Sequence, residues 1–280
     1  MEMAHSVAEL KSVLSDTGSK KVALVPTMGA LHRGHLSLIQ KAQSDGYLVV
    51  VSVFVNPKQF DDAKDFDSYP RTLGVDARLL TDAGVDVLFA PSVQEVYPPG
   101  VELYQPKAPE IAQKFEGEFR PGHFEGMLLV VNRLFDLVTP NAAYFGEKDF
   151  QQLALVRHMV SEQVATGRRE PLKIVGCPTI REESGLALSS RNQRILPEHL
   201  DAAKTIFTAL KAGASAGSDR ASILAAAKAT LHPLTRLEYL ELVDSESFEI
   251  LEQVRPGARL IIAAWVGSVR LIDNLLIGEK

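Results

Sequence analysis

The segment Leu48–Val55 constrains the fold more than any other stretch of the chain. It reads Leu-Val-Val-Val-Ser-Val-Phe-Val, a nearly continuous apolar run rich in β-branched residues. A run without apolar–polar alternation is the mark of a strand buried on both faces, and helices must then cover both faces. The neighbouring segments supply them. Val22–Val25 is strand-like and ends at Pro26, and His35–Ser44 is helical with Leu36, Ile39 and Ala42 on one face. Asp76–Ala83 reads as helix, Val85–Ala90 as strand, and Phe124–Leu137 as amphipathic helix through Met127, Leu128, Val131, Leu134 and Phe135. Ala142–Phe145 and Leu172–Val175 read as strands around a helix at Gln151–Val164. This alternation predicts an α/β fold, a Rossmann-like parallel sheet with helices on both faces.

The pattern changes after about Ile180. Helical stretches at His199–Ala212 and Asp219–Leu231 precede strand candidates at Arg236–Val243, Arg259–Val266 and Val269–Leu275, with Gly267-Ser268 as a hairpin turn. The expected division is a domain over 1–180 and a smaller C-terminal α+β lid domain over 181–280.

Several classes of function are disfavoured. The net charge of −5 argues against a broad nucleic-acid or anionic-membrane footprint. The single cysteine, Cys177, excludes an internal disulfide and a cysteine-built zinc site. The longest apolar runs, Leu48–Val55 and Leu260–Val266, are too short to span a bilayer, and Met1 to Lys11 holds no apolar core of signal-peptide length. A cytoplasmic protein with small-molecule partners, and with neither nucleic acid nor membrane among them, is expected.

The most informative motif is Pro26-Thr27-Met28-Gly29-Ala30-Leu31-His32-Arg33-Gly34-His35, between a buried strand and a helix. Such a junction binds anions, because free backbone N–H groups and the positive helix end point at the ligand. Gly29 and Gly34 allow close approach of a phosphate. His32 and His35 share one face of the first turn, and their N–H groups can follow charge building on phosphorus. The plainer alternative is a capping histidine beside a surface one. A zinc reading lacks a third ligand nearby.

Four further motifs are weaker alone. Leu188-Ser189-Ser190-Arg191 joins two hydroxyls and a guanidinium suited to phosphate. Gly146-Glu147-Lys148-Asp149 follows a strand at the ligand-binding edge of the sheet. Asn56-Pro57-Lys58-Gln59 offers neutral amides at the end of Leu48–Val55. Arg120 and His123 precede the helix Phe124–Leu137 as a mobile basic pair for a carboxylate or phosphate. Taken singly, Ser-Ser-Arg is common loop chemistry, a charged turn is the better account of Gly146–Asp149, Asn-Pro makes a turn, and a cap region explains Arg120 and His123 as well as function does.

Together these motifs, with Tyr69-Pro70-Arg71 between them, resemble the pantothenate synthetase (pantoate–β-alanine ligase) family, within the nucleotidyltransferase and class I tRNA-synthetase superfamily. The resemblance spans essentially the whole chain and is strongest from Val22 to Asn192. It implies ATP- and Mg²⁺-dependent condensation of pantoate with β-alanine through a pantoyl adenylate, by a homodimer. It places ATP along Met28, Gly29, His32, Gly34 and His35, with Gly146, Glu147, Lys148 and Asp149 around ribose and phosphates. Ile180 would offer its backbone to adenine, and Leu188, Ser189, Ser190 and Arg191 would hold the triphosphate. His35, His32, Lys148 and Arg191 would be catalytic. Gln59, Gln152 and Asn56 would hold pantoate, with Arg120 and His123 on a flexible wall. Relatives carry consecutive acidic residues after Tyr-Pro-Arg where magnesium is held, and here Leu73-Gly74-Val75-Asp76 leaves Asp76 as the candidate metal contact. No residue stands out as a base for the attacking amine.

A nucleotidyltransferase acting on a phosphate ester would share the two histidines without needing Gln59 and Gln152. A non-catalytic nucleotide-binding regulator would not need His35. A tRNA synthetase would need a basic surface and an anticodon domain.

Overall fold

The computed structural model describes residues 1–16, 18, 20–60 and 63–278. Two compact units are present: residues 1–147 with 151–178, and residues 148–150 with 179–280.

In the first unit the strands are β1 (Glu2–Ala4), β2 (Val22–Thr27), β3 (Leu48–Val53), β4 (Val87–Phe89), β5 (Ala142–Gly146) and β6 (Lys173–Cys177). Between them lie α1 (Val7–Ser15), α2 (Arg33–Ser44), α3 (Ala63–Asp67), α4 (Leu73–Asp82), α5 (Val93–Val96), α6 (Glu116–Phe119), α7 (His123–Val138) and α8 (Phe150–Ala165). The sheet order is β1-β4-β3-β2-β5-β6, and every pairing is parallel. The chain therefore winds one way from β2 and the other way from β5, and the switch point lies between the C-terminal ends of those two strands. That is where a sheet of this kind opens a ligand crevice.

The apolar run of β3 is buried on both faces, as the sequence predicts. Val50 packs with Leu24, Val87 and Ala143 against α7 and α8 through Leu128, Phe135 and Leu153. Val49 and Val51 pack with Ala23, Val25 and Leu88 on the opposite face, against Leu38, Ile39 and Ala42 of α2 and Leu80 of α4. Each of the valine, leucine, isoleucine and phenylalanine side chains among these contributes about 1.5–3 kcal/mol of burial. Cys177 ends β6 in this second layer, and burial pushes its thiol pKa up.

Strand β1, helix α1 and the short helices α3, α5 and α6 went unread in the sequence. Strand β1 is three residues long with only Ala4 buried, so it carries no period. Helix α1 opens with a capping box in which Ser6 accepts from the Glu9 amide and the Glu9 side chain accepts from the Ser6 amide. That Ser-x-x-Glu signature was available in the sequence.

The second unit contains α9 (Leu200–Ala214), α10 (Arg220–Thr230) and the antiparallel sheet β7 (Thr235–Asp244), β8 (Ala258–Val266) and β9 (Val269–Leu276). Ile206, Leu210, Ile223 and Leu224 of the helices pack on Leu240, Leu242, Leu260 and Ile262 of the sheet. Val266 pairs with Val269 across Gly267-Ser268, and Gly267 has φ 58°, so the two-residue hairpin forms with a glycine where left-handed backbone is needed.

Candidate active site

At the end of β2 the chain turns sharply, with Gly29 at φ 83° and Ala30 at φ 49°. The alanine holds a conformation that costs an L-residue roughly 1 kcal/mol, so something must hold it there. Thr27 holds one side: its hydroxyl donates to the Ser52 carbonyl at 2.7 Å and accepts from the Gly29 amide at 3.2 Å. Asp76, from the first turn of α4, holds the other. Its Oδ2 accepts from the Ala30 amide at 3.1 Å and its Oδ1 from the Leu31 amide at 2.9 Å. Thr72 donates to Oδ2 at 3.1 Å.

This geometry bears on two expectations. The amides of Gly29, Ala30 and Leu31 are taken by protein acceptors and are not aimed at a ligand, because a buried turn must satisfy its own N–H groups. Asp76, the candidate metal contact, is 2% exposed, and both of its oxygens are engaged by the turn and by Thr72. Among the described residues, no group of three or more His, Cys, Asp or Glu side chains converges to hold a metal ion.

Donors at this junction come instead from the imidazoles. His32 is the N-cap of α2, and its Nδ1 accepts from the Gly34 amide at 3.1 Å. His35 reciprocates, its Nδ1 accepting from the His32 amide at 3.2 Å. The rings lie 4.0 Å apart, tilted by 36°. This is a capping box built from two histidines. A ring nitrogen that accepts a backbone N–H carries no proton, so in each neutral ring the proton sits on Nε2. The helix start thereby sets both rings as Nε2–H donors. Met28 and Gly34 flank them, both half-buried.

At the end of β3, Asn56 is 1% exposed and fully bonded. Its Nδ2 donates to Gln59 Oε1 and to the Gly126 carbonyl, both at 3.0 Å. Its Oδ1 accepts from the Tyr97 hydroxyl at 2.8 Å and the Lys58 amide at 3.2 Å. Burial pushes the Tyr97 pKa up, so this phenol stays a donor. With Oε1 of Gln59 occupied, its Nε2 is the end that presents donors. Gly126 lets α7 approach closely: a Cβ there would lie 1.9 Å from the Lys58 carbonyl oxygen.

Arg120 and His123, expected as a mobile basic pair, are interlocked. His123 is buried, and its Nδ1 meets the Gln59 carbonyl at 2.8 Å. A carbonyl only accepts, so Nδ1 carries the proton, and Nε2 accepts from Arg120 Nη1 at 3.0 Å. His123 is thus a neutral support for the Gln59 backbone. Tyr97 and Gly126 are the residues that sequence reasoning missed here. A glycine inside a helical pattern was a signal for the second, and nothing local marks the first.

Gly146 ends β5 and Glu147 follows it at the switch point; both are half-buried, as is Gln152 in the first turn of α8. The adjacent Gln151 is structural: it donates to the carbonyls of Ile111 and Lys114 and accepts from the Glu116 amide.

In the second unit, Asn274 of β9 donates to the Lys148 carbonyl at 3.0 Å and accepts from Arg259, whose guanidinium lies 3.7 Å over the Phe150 ring. The Lys148 side chain is 19% exposed, and its Nζ lies 3.3 Å from Asp149 Oδ1. Residues 180–188 form a narrow hairpin in which the Leu188 amide donates to the Ile180 carbonyl at 3.0 Å. Arg181 pins it through a bidentate pair with Asp273 at 2.6 and 2.9 Å. Ser189 then caps the short helical turn Ser190–Arg194, its Oγ accepting from the Arg191 amide at 3.3 Å. Ser190 is buried, and Arg191 is half-buried.

A doubly wound parallel sheet with a paired-imidazole helix start beside its switch point defines an α/β fold with a candidate ligand crevice at that helix start. The family model described as pantoate-beta-alanine ligase matches residues 2–276, and the chain belongs to that family. Pantothenate synthetase of Thermus thermophilus is 46% identical over 280 residues, covering 98% of this chain and 99% of that one. Pantothenate synthetase 1 of Bradyrhizobium diazoefficiens is 43% identical, covering 99% and 98%. A crystal structure of the Thermus thermophilus enzyme aligns with a TM-score of 0.92 at 45% identity over 99% of this chain and all of that one. The Francisella tularensis pantoate-beta-alanine ligase, described as complexed with beta-gamma ATP and beta-alanine, aligns with a TM-score of 0.82 at 38% identity, covering 99% of this chain and 98% of that one.

Proposed function

We propose that this enzyme condenses pantoate with β-alanine in two ATP-driven steps, and that His32 and His35 act in the first. A carboxylate is a poor acyl donor because direct attack would expel an oxide. A pantoate carboxylate oxygen therefore attacks the α-phosphorus of ATP, the α–β anhydride bond breaks, and pyrophosphate leaves. The amine of β-alanine then attacks the acyl carbon of pantoyl adenylate, the C–O bond to phosphate breaks, and AMP leaves. The ammonium loses its protons to water, and no side chain is assigned as base.

The observation that carries this reading is the reciprocal pair of backbone N–H to Nδ1 bonds at His32 and His35. Two fixed Nε2–H donors suit a centre that gains negative charge in the transition state, where a preorganised donor is worth most. Met28, Gly29 and Gly34 line the nucleotide in this reading. Gly146, Glu147 and Asp149 serve the ribose, and Ile180 and Leu188 the adenine side. Lys148, Ser189, Ser190 and Arg191 take the phosphates, with Lys148 and Arg191 opposing the repulsion between the two anionic reactants. Mg²⁺, held by the nucleotide phosphates, would supply charge neutralisation there. The homologue described with an ATP analogue and β-alanine supports the choice of substrates. A homodimer and a cytoplasmic setting belong to the same proposal on the family resemblance alone.

Gln59, Asn56 and Gln152 are assigned to pantoate, with Arg120 and His123 supporting Gln59. Fixing Nε2 of Gln59 outward makes it a donor to the carboxylate or hydroxyl oxygens of the acid. Tyr97→Phe removes one donor that orients Asn56. It is expected to raise the KM for pantoate about three- to tenfold, the worth of one hydrogen bond, with little change in the KM for ATP. Steady-state kinetics in both substrates checks this.

The overall scheme is tested by mixing enzyme, Mg-ATP and pantoate without amine. Mass spectrometry should find pantoyl adenylate, and labelled pyrophosphate should exchange into ATP only when pantoate is present. Exchange that requires β-alanine would exclude the two-step order.

A further inference from the structure

We infer that Asp76 is a positioning residue for the adenylation step, acting as an anionic clamp that holds the turn carrying His32 and His35. The inference rests on the role given above to those imidazoles. Three donors converge on one buried carboxylate: the amides of Ala30 and Leu31 and the hydroxyl of Thr72. Thr72 occupies the N-cap position of α4 yet makes no side-chain cap bond to that helix. Its hydroxyl goes to Asp76 instead, giving up a contact worth about 1 kcal/mol at a helix start. Meanwhile Asp76 holds Ala30 in left-handed backbone, immediately before the residues that begin α2. The packing is close as well: a Cβ on Gly29 would stand 3.1 Å from Asp76 Oδ2 and 3.1 Å from Val53 Cγ1. The turn is therefore gripped between Thr27 on β2 and Asp76 on α4, and the entry angle of α2 follows from both. A carboxylate suits this post because it only accepts, and both backbone amides only donate. Asparagine has the same shape but turns an NH₂ toward one amide.

Asp76→Asn and Thr72→Val provide the test, in the full-length enzyme. Amide exchange across residues 28–32, read by mass spectrometry, should accelerate about tenfold or more in Asp76→Asn, because one backbone amide of the turn then faces an NH₂ instead of an acceptor. The single-turnover rate of adenylate formation should fall about 10²-fold, since a displacement near 1 Å costs that much. The Mg²⁺ concentration for half-maximal rate should stay where it is. Thr72→Val, which leaves the carboxylate in place, should show the same changes in the same direction at about threefold, and it carries the test if Asp76→Asn does not fold. A metal-binding role predicts the opposite pattern. Unaltered exchange, or a rate restored by excess Mg²⁺, overturns the clamp. Faster exchange with an unaltered rate overturns its part in the reaction. The underlying reading fails separately, by full adenylation activity in His35→Ala, which leaves the exchange result in Asp76→Asn untouched.

Discussion

Replacing His35 with alanine should lower the rate of adenylate formation by about two to three powers of ten while leaving the fold in place. The loss has two sources that measurement can separate. The larger is the Nε2–H donor itself, which matters most when charge builds on the α-phosphorus and least when ATP simply rests in the site. The smaller is the cap: the His32 amide loses its acceptor, and helix α2 loses about 1 kcal/mol at its start. The expected signature is thus a large fall in single-turnover rate, a modest change in ATP affinity and a thermal midpoint lowered by a few degrees at most. His35→Asn refines the assignment, because an amide oxygen can take over the cap without placing a donor where the imidazole holds one. It should regain stability and not rate. Wild-type adenylation in His35→Ala would remove this ring from the chemistry.

Gly126→Ala is expected to be the most disruptive single-methyl change near the site. A Cβ there would sit 1.9 Å from the Lys58 oxygen, 2.4 Å from the Lys58 carbonyl carbon and 2.9 Å from the Gln59 Cα. All three obstacles are backbone atoms, so no rotamer change relieves them. Helix α7 or the turn at Asn56–Gln59 must move. The cost should be about 3 kcal/mol or more, near the upper end for overpacking. Asn56 also loses its acceptor geometry at the Gly126 carbonyl, so any folded fraction should show a raised KM for pantoate. Gly74→Ala serves as the matched control. Gly74 lies in the first turn of α4 with nothing within 4 Å of its would-be Cβ, and alanine there should be neutral or stabilising by a few tenths of a kcal/mol. Chemical denaturation of the three proteins, with pantoate titrations, checks both statements.

Much of the frame was readable before any coordinates. Strand β3 announces itself because burial on both faces demands an unbroken apolar run, and α7 because its stripe keeps a helical period. The glycines and histidines after β2 mark a strand–helix junction through local chemistry alone. What stayed hidden depends on contacts between distant segments. Asp76 meets the turn after β2 across 45 and 46 positions of chain, and Tyr97 meets Asn56 across 41. Nothing in the sequence around Asp76, a candidate metal contact on the resemblance alone, shows that the fold buries it against that turn. His123 shows the same dependence on distant contacts: an Arg-x-x-His pair before a helix reads as mobile charge, and in the fold its ring is a buried link between Arg120 and the Gln59 carbonyl.

The position of Cys177 has a practical side. The chain's single thiol ends a strand inside the sheet layer, 4% exposed, with its pKa raised by that burial. Thiolate is the reactive form, so a maleimide finds little to react with in the native protein. A cysteine introduced at a solvent-facing site such as Gln40 on α2 would therefore take up a fluorophore or spin probe selectively. The native background needs no deletion first, and the helix start bearing the two imidazoles could be watched by a reporter two turns away.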